Sequence, residues 1–428
     1  MGLNFESSHV REGMLEGHFG LEKESLRVDG NGNMTHTKHP FDNPKIDRDF
    51  CENQIELITG VHDTIDDCLA ELNDLHCKAV ETIYELPTGR EYLWPFSSPA
   101  YIKNEEDIPI AQYFGEKAEK TLYRNYLSKK YGRKKMTFSG IHFNFSFGEN
   151  LLREGLRSGD DYNTQELKDG LYLELAKKSV KYSWLLVYLF AASSLMDGSY
   201  FDDTKLGEDA PIKYGSPRCS EIGYWNDFNP IFSFDTPGDY VRSIEKYVDC
   251  GKLQQAAELY YPIRLKPAGS NSLQHLKEGG IDHIEFRMMD LNPFSPLGIL
   301  GEDISFLHYF IVYLTSLPRE SFDSLEQLTA LKNYKQAARY DEKQIMIEER
   351  GKEPRNVTKA ALDFLTNMEK FYTKANCKDA LDMIDYQKDK VLNPNQRYAV
   401  RVAKMFGGDY VKKGMQMAKI YADTLMEE

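Results

Sequence analysis

Two glutamates, Glu22 and Glu24, stand two residues apart in the stretch GLEKESLRV, residues 20–28. On a β-strand alternate residues share a face, so this pair lies beside Leu26 and Val28, while Lys23, Ser25 and Arg27 point the other way. Carboxylates a few ångström apart on a covered face cannot both stay ionised unaided. The pattern therefore asks for raised pKa values, a metal, or a face that is a cavity wall. Further acids follow: Asp49, Glu52 and Glu56 in DRDFCENQIELIT, and Glu285 in IDHIEFRMMD. In IHFNFSF, residues 141–147, His142, Asn144 and Ser146 share one face and Ile141, Phe143, Phe145 and Phe147 the other. If these acids line one cavity, hard divalent cations explain them, because Mg²⁺ and Mn²⁺ take carboxylate and water oxygens and leave positions for phosphate. His142 could add a nitrogen ligand. Arg124, Arg218, Arg264, Lys266 and Arg287 are the candidates to hold phosphates and substrate carboxylates, work that suits the planar arginine fork.

Each feature also has a plainer reading. A Glu pair at i, i+2 is compatible with a half-exposed strand, and a histidine between aromatics with a satisfied core residue. Arg287 beside Glu285 makes a same-face ion pair worth ~0–1 kcal/mol if exposed. Spacing alone leaves a metal-dependent, phosphate-handling enzyme as one reading among these.

The elements that must position such residues are legible from periodicity. An apolar stripe of Ile65, Leu69, Leu72, Leu75, Ala79 and Ile83 predicts a helix from Thr64 to Leu86 with Asp63 as N-cap. A second is expected from Thr164 through WLLVYLF to near Gly198. In IDHIEFRMMD, Glu285 and Arg287 share a face opposed by Ile284, Phe286 and Met288. From Glu302 onward the text is helical in period and rich in helix formers. The reading is one catalytic domain over 1–428, with a sheet-based core over 1–310 and a helical part over 311–428.

Composition narrows the classes. The 428 residues are 41% hydrophobic and 12% aromatic, enough for a large core. A formal charge of −14 opposes nucleic-acid binding, which draws on Lys and Arg. The longest apolar run, 184–196, carries two serines and is too short to span a bilayer, and residues 1–20 show no signal-peptide pattern. No nucleic-acid or membrane partner is expected, and a cytoplasmic protein is. Six cysteines without C-x-x-C spacing read as reduced thiols, Cys219 as a buried inert one. The DGNGN stretch at 29–33 begins like a calcium loop, but Met34 and Pro40 occupy the positions that loop needs for Gly and Glu; it reads as a hairpin turn. No phosphate-binding G-x-x-x-x-G-K-[ST] is present, nor a G-x-G-x-x-G between strand and helix. The NVT sequon at Asn356 carries little weight without a secretion signal.

Taken in order, seven stretches resemble bacterial glutamate–cysteine ligase: GLEKESLRV, DFCENQIELIT, LWPFSSP, TLYRNYLSKKYG, SGIHFNFSF, ELYYPIRLKP and GGIDHIEFRMMDLNPFSPLGI. They cover about residues 15–310; the region after about 320 matches weakly. The resemblance implies an α+β fold of glutamine-synthetase-like type, whose curved, largely antiparallel sheet offers its concave face to ATP, divalent cations and amino acids. It implies Glu22, Glu24, Asp49, Glu56, His142 and Glu285 as ligands of Mg²⁺ or Mn²⁺. Arg264, Lys266 and Arg287 would contact the nucleotide. Arg287, Lys266 and Arg218 would act in catalysis. Tyr123, Arg124, Arg218, Tyr224 and Tyr260 would shape the substrate pockets. The implied reaction joins L-glutamate to L-cysteine with ATP through γ-glutamyl phosphate, the first step of glutathione biosynthesis. The residue that deprotonates the amine is not identified. No second ligase domain follows, so the chain is expected to stop at the dipeptide. A ligase with another acceptor amine and a non-catalytic relative are the alternatives.

Overall fold

The computed structural model describes residues 3–155 and 165–427. Seven strands form its main sheet: β1 (Gly17–Asp29), β2 (Ile46–Arg48), β3 (Gln54–Ile58), β4 (Glu91–Leu93), β5 (Ile141–Phe147), β6 (Ile263–Lys266) and β7 (His283–Met289). Their order is β2-β3-β1-β5-β7-β6, with β4 paired to the far end of β1. Every pairing among them is antiparallel, as the α+β expectation required. β1 is the hub, because its thirteen residues pair with β5 at one end, β4 at the other and β3 between.

Strand alternation divides this sheet into two chemically distinct faces. One carries Leu21, Ile55, Leu57, Phe143, Phe145, Ile284 and Phe286, all buried in the main core. Helices Gln165–Phe190 and Gly301–Ser316 supply the other side of that core. The opposite face carries the acids. At the far end of β1, Leu26 and Val28 enter a second core with Phe50, Trp94, Phe96, Phe406 and Tyr410.

The apolar face of β1 also buries charge. Arg27 is fully buried; its Nη1 donates to Glu91 Oε2 and Thr37 Oγ1 at 2.8 Å each, and its Nη2 to Thr37 O and Glu52 O at 3.0 Å each. Lys23 lies 3.2 Å from His76 Nδ1 and 3.3 Å from the Pro296 carbonyl. Burial lowers its amine to about 7.

Helix boundaries shift for identifiable reasons. The first long helix runs Ile65–Tyr84 and its N-cap is Thr64, not Asp63. The Thr64 hydroxyl accepts from Asp67 N at 3.1 Å, and Asp67 three residues on completes the local cap; Asp63 pairs with His18 instead. The expected start of the second helix, Thr164, lies outside the described residues. Its end is Phe190, eight residues short of Gly198. Beyond Phe190 the backbone bonds across the fold: Ala192 N donates to Asp290 Oδ2 at 3.0 Å and Ser193 N to Gly215 O at 3.1 Å. Tertiary hydrogen bonds thus outcompete an apolar sequence that could have continued as helix.

The DGNGN turn is a turn: Asp29 Oδ1 accepts from Asn31 N and Asn33 N, and Val28 bridges Met34. The asparagine of the sequon, Asn356, caps the Val357–Lys374 helix, accepting from Thr358 N at 3.0 Å. The helical C-terminal part also contains a two-stranded ribbon, Met346–Ile347 with Arg355–Asn356, which periodicity did not reveal. Residues 310 and 311 lie inside helix Gly301–Ser316, so no structural boundary falls between them. No disulfide forms among the described residues, where Cys51, Cys68 and Cys219 are buried. No described helix is long and apolar enough to cross a membrane.

Removing one partner of a fully buried ion pair leaves the other charge stranded. Glu91→Ala is expected to cost about 3–5 kcal/mol in chemical denaturation. A loss below about 1 kcal/mol would show that the remaining acceptors of Arg27 carry its charge alone.

Candidate active site

The antiparallel register brings distant residues of the acidic face side by side. Glu24 of β1 lies opposite Glu56 of β3, Glu22 opposite His142 of β5, and Glu285 of β7 opposite both Asn144 and Arg264. Like charges directly opposite repel, so this face needs countercharge. Between the pairs Phe143–Phe286 and Ile141–Met289 the register shifts, leaving Arg287 and Met288 facing the single residue His142. A bulge of this kind re-aims side chains, and here it lies beside the histidine.

One oxygen each from Glu22 and Glu56 and one ring nitrogen of His142 lie within 4.8 Å of one another. Two carboxylates and an imidazole converging this closely suit a divalent cation. His142 is buried, its Nδ1 is 2.9 Å from Glu22 Oε2 and its Nε2 is 3.5 Å from Glu24 Oε1. Asn144 Nδ2 donates to Glu22 Oε1 at 3.1 Å, and Gly140 N to Glu24 Oε2 at 2.9 Å.

Burial, then the charge of Arg287, lowers His142 to about 4, keeping a neutral imidazole whose nitrogen can ligate. Burial, followed by the Asp49 charge, raises Glu24 to about 8 against the pull of Arg218 and Arg287. Glu56 is held well above the usual carboxylate range by burial and by Asp49, Glu22 and Glu24. Burial opposes ionisation of Glu22 as well, yet the His142 hydrogen bond leaves it lowered. Burial and like charge thus disfavour ionisation of Glu24 and Glu56, and positive charge placed beside them would favour it.

Glu285 has another arrangement. Its Oε1 accepts from Arg287 Nη1 at 2.9 Å and Lys266 Nζ is 3.3 Å from its Oε2. Burial resists its charge, but Arg287, Lys266 and Arg264 hold it well below the ordinary range. The ion pair expected between Glu285 and Arg287 is present, and it is buried rather than on the surface. The six residues expected as one ligand set thus divide. Glu22, Glu56 and His142 converge, Glu24 is tied to Gly140 beside them, and Glu285 is neutralised by two cations. Asp49 sits on the β2–β3 loop, where its charge bears on Glu24, Glu56, Tyr224 and Tyr260.

Arg218 and Arg287 share a cavity of about 40 Å³ with Tyr224 and Tyr260, so four of the residues singled out in the sequence meet there. The Tyr224 and Tyr260 rings are 4.3 Å apart and both phenols are raised well above 10 by burial. Among the described residues, the hydrogen bonds of the Arg218 guanidinium are long, 3.5 Å to Met289 O and 3.5 Å to His142 Nε2. Arg264 and Lys266 border a second cavity of about 120 Å³ with Tyr240 and Ser272, and Arg264 Nη2 donates to Leu259 O. Tyr123 stacks on Tyr126 at 6.4 Å, half-buried at the edge of the second core.

Arg124 departs from the expectation of a substrate contact. Its Nε donates to Asp49 O, its Nη2 to Arg48 O at 3.1 Å and its Nη1 to Lys120 O at 3.1 Å. Three backbone carbonyls engage the guanidinium, so it fixes the loop that carries Asp49. Glu52 likewise leaves the cluster, held by Arg48, His39 N and Gln112 N.

Several contributors were not singled out. Asn144 had a signal, since alternation in IHFNFSF put it on the His142 face. Trp225 and Tyr334 complete the Arg218 cavity, and Tyr334 OH donates to Cys219 Sγ at 3.2 Å. Tyr334 comes from a helix in the C-terminal part, where no local feature marks it.

A sheet face of this kind, acids and imidazole at its centre with cations around them, has the make-up of a site that takes a cation and an anionic ligand side by side. Residues 4–252 and 249–337 match the glutamate-cysteine ligase family model, and the chain belongs to that family. It is 36% identical over 438 residues to a protein named Glutathione biosynthesis bifunctional protein GshAB from Listeria monocytogenes, covering 98% of this chain and 56% of that protein. A protein of the same name from Clostridium perfringens is 35% identical, with 96% and 54% covered. The crystal structure of a bifunctional glutathione synthetase from Pasteurella multocida superposes with a TM-score of 0.83 at 29% identity, over 98% of this chain and 54% of that one. The fold also matches glutamate–cysteine ligase from Francisella tularensis in complex with AMP, with a TM-score of 0.85 at 24% identity, over 96% and 89% of the two chains. The chain spans about half the length of the curated relatives it matches. The similarity reaches well past residue 320, where the motifs alone had suggested a weak match.

Mn²⁺ titration followed by electron paramagnetic resonance checks the cluster directly. Glu56→Gln should weaken Mn²⁺ binding by at least about tenfold with the melting temperature retained, since even outer-shell changes cost that much. Unchanged Mn²⁺ affinity would remove Glu56 from the site.

Proposed function

We propose that this chain ligates the γ-carboxylate of L-glutamate to the α-amine of L-cysteine at the expense of ATP, giving γ-glutamylcysteine, ADP and phosphate, the first step of glutathione biosynthesis. Membership of the family supports this reading. The observation that carries it is the convergence of Glu22, Glu56 and His142 on the sheet face that also presents Arg287 and Lys266, with Arg218 reaching His142 from a neighbouring loop. The whole chain, 1–428, acts as one catalytic unit, because helices from its last third pack into both cores.

Glu22, Glu56 and His142 would hold a Mg²⁺ or Mn²⁺ ion, with Glu24, Asp49 and Glu285 nearby, and the ion would supply charge neutralisation for ATP's phosphates. Arg264, Lys266 and Arg287 present positive charge along one side of the sheet, where nucleotide phosphates are the matching ligand. The γ-carboxylate of glutamate attacks the γ-phosphorus of ATP; an O–P bond forms and ADP leaves. The neutral cysteine amine then attacks the acyl carbon, a C–N bond forms, phosphate leaves with the carboxylate oxygen, and the proton lost by nitrogen passes to solvent or to the departing phosphate. Arg287 and Lys266 stabilise the charge that develops on the transferring phosphoryl group. Arg218, with weakly engaged donors, takes a substrate carboxylate, and Tyr123, Tyr224 and Tyr260 bound the amino-acid pockets. Arg124 serves by holding the Asp49 loop. Small molecules are the partners; the acidic balance of the chain disfavours nucleic acid, and the reduced cysteines suit the cytoplasm.

Oxygen tracing tests the route. With ¹⁸O in the γ-carboxylate, one label should appear in released phosphate for each dipeptide formed, and turnover should cease on complete chelation of divalent metal. AMP in place of ADP, with no label in phosphate, would replace this route by adenylation. Arg218→Lys should raise the KM of one amino-acid substrate by roughly tenfold or more, because an ammonium cannot grip a carboxylate bidentately. Unchanged constants for both amino acids would make Arg218 structural.

A further inference from the structure

Gly140 precedes β5 by one residue. Its N–H donates to Glu24 Oε2 at 2.9 Å and its carbonyl accepts from Glu24 N at 3.0 Å, so it grips one acid of the metal face from both sides. Its other neighbour is Arg218. A Cβ built on Gly140 would fall far inside contact distance of Arg218 Cζ, Nη2 and Nε, which means that the guanidinium lies across the bare glycine backbone. Gly140 is not among the glycines with positive φ, so the position demands space rather than an unusual conformation.

The backbone of Arg218 is fixed at its other end. Ser216 Oγ donates to Asp290 Oδ1 at 2.8 Å, Tyr224 N donates to Arg218 O at 3.2 Å, and Gly223 leaves no room above that carbonyl for a side chain. With the main chain anchored, the reach of the guanidinium is set by what it rests on, and that is Gly140.

We propose that Gly140 is a positioning residue that holds Arg218 and Glu24 in one register, so that the carboxylate-binding arginine and the metal face keep a fixed separation. The inference rests on reading Arg218 as the group that takes a substrate carboxylate. The atoms that an added methyl would meet are the end of a flexible side chain, which can swing aside cheaply. Gly140→Ala should therefore leave the melting temperature within a few degrees of wild type while displacing the guanidinium by about an ångström, enough for a roughly hundredfold loss of kcat/KM. A merely structural glycine would show the reverse, a large melting shift with kinetics preserved in the folded fraction.

The experiment compares wild type, Gly140→Ala, Arg218→Ala and the double variant by dipeptide formation, calorimetric titration with L-glutamate and with L-cysteine, and thermal melting. Wild-type turnover tests the proposed function by itself; if amino acid binds without turnover, that reading fails and the titrations still judge this one. The expected result is that both single variants weaken the same amino acid, and that adding Gly140→Ala to Arg218→Ala changes its affinity by less than about threefold, because the two act through one group. Unaltered affinity in Gly140→Ala, or fully additive losses, would overturn the proposal. Should Gly140→Ala alone unfold, the double variant removes the collision and restores melting; failure of that rescue would overturn it equally.

Discussion

Glu22, Glu24, Glu56 and Glu285 project from one face of an antiparallel sheet and are largely or wholly buried there, and the site's design follows from what that burial demands. Carboxylates this close in a poorly solvated place must be protonated, paired or metallated. The structure uses a different solution at different positions. Glu285 is paired with Arg287 and Lys266; Glu24 and Glu56 are pushed above the usual carboxylate range by burial and like charge; Glu22 leans on His142 and Asn144. Burial and like charge raise Glu24 and Glu56 while partners lower Glu22 and Glu285, so added positive charge would act most on the first two.

The strands achieve this arrangement through register. β1 supplies two acids to its neighbours because it pairs on both edges, and the bulge opposite His142 gathers Arg287 toward the same centre. Loops then add what strands cannot. The Arg218 segment is tied to the end of β7 through Ser216 and Asp290, and the Asp49 segment is tied down by Arg124. Charged groups on loops thus acquire rigidity from hydrogen bonds that anchor those loops.

The helices beyond the sheet do more than cover it. Asp303 accepts from Gln387 Nε2 at 3.0 Å, Lys390 Nζ at 2.8 Å and Tyr398 OH at 2.7 Å, a buried junction that binds helices Lys378–Leu392 and Tyr398–Phe406 to the one beneath the sheet. Lys390 lies 3.9 Å from the Tyr398 ring centre, so the same junction is reinforced by a cation–π contact. From this packed scaffold Tyr334 reaches the Arg218 cavity, a route by which the C-terminal part contributes to the site.

Periodicity and spacing were sufficient to mark the acidic faces of β1, β5 and β7, the long helices and the DGNGN turn, because those signals are local: alternation has a period of two and a helix stripe one near 3.6. The seven motifs added the family and the α+β architecture. What lay beyond the sequence was set by contacts between residues far apart along the chain. Which acids converge depends on the registers of β1 with β3 and β5, whether Arg124 faces substrate or backbone depends on where the Asp49 loop comes to rest, and the end of the Gln165–Phe190 helix depends on hydrogen-bond partners at Gly215 and Asp290. Hydrogen bonds and charges in a buried site are decided by geometry finer than a strand's alternation, and only the folded chain supplies that geometry.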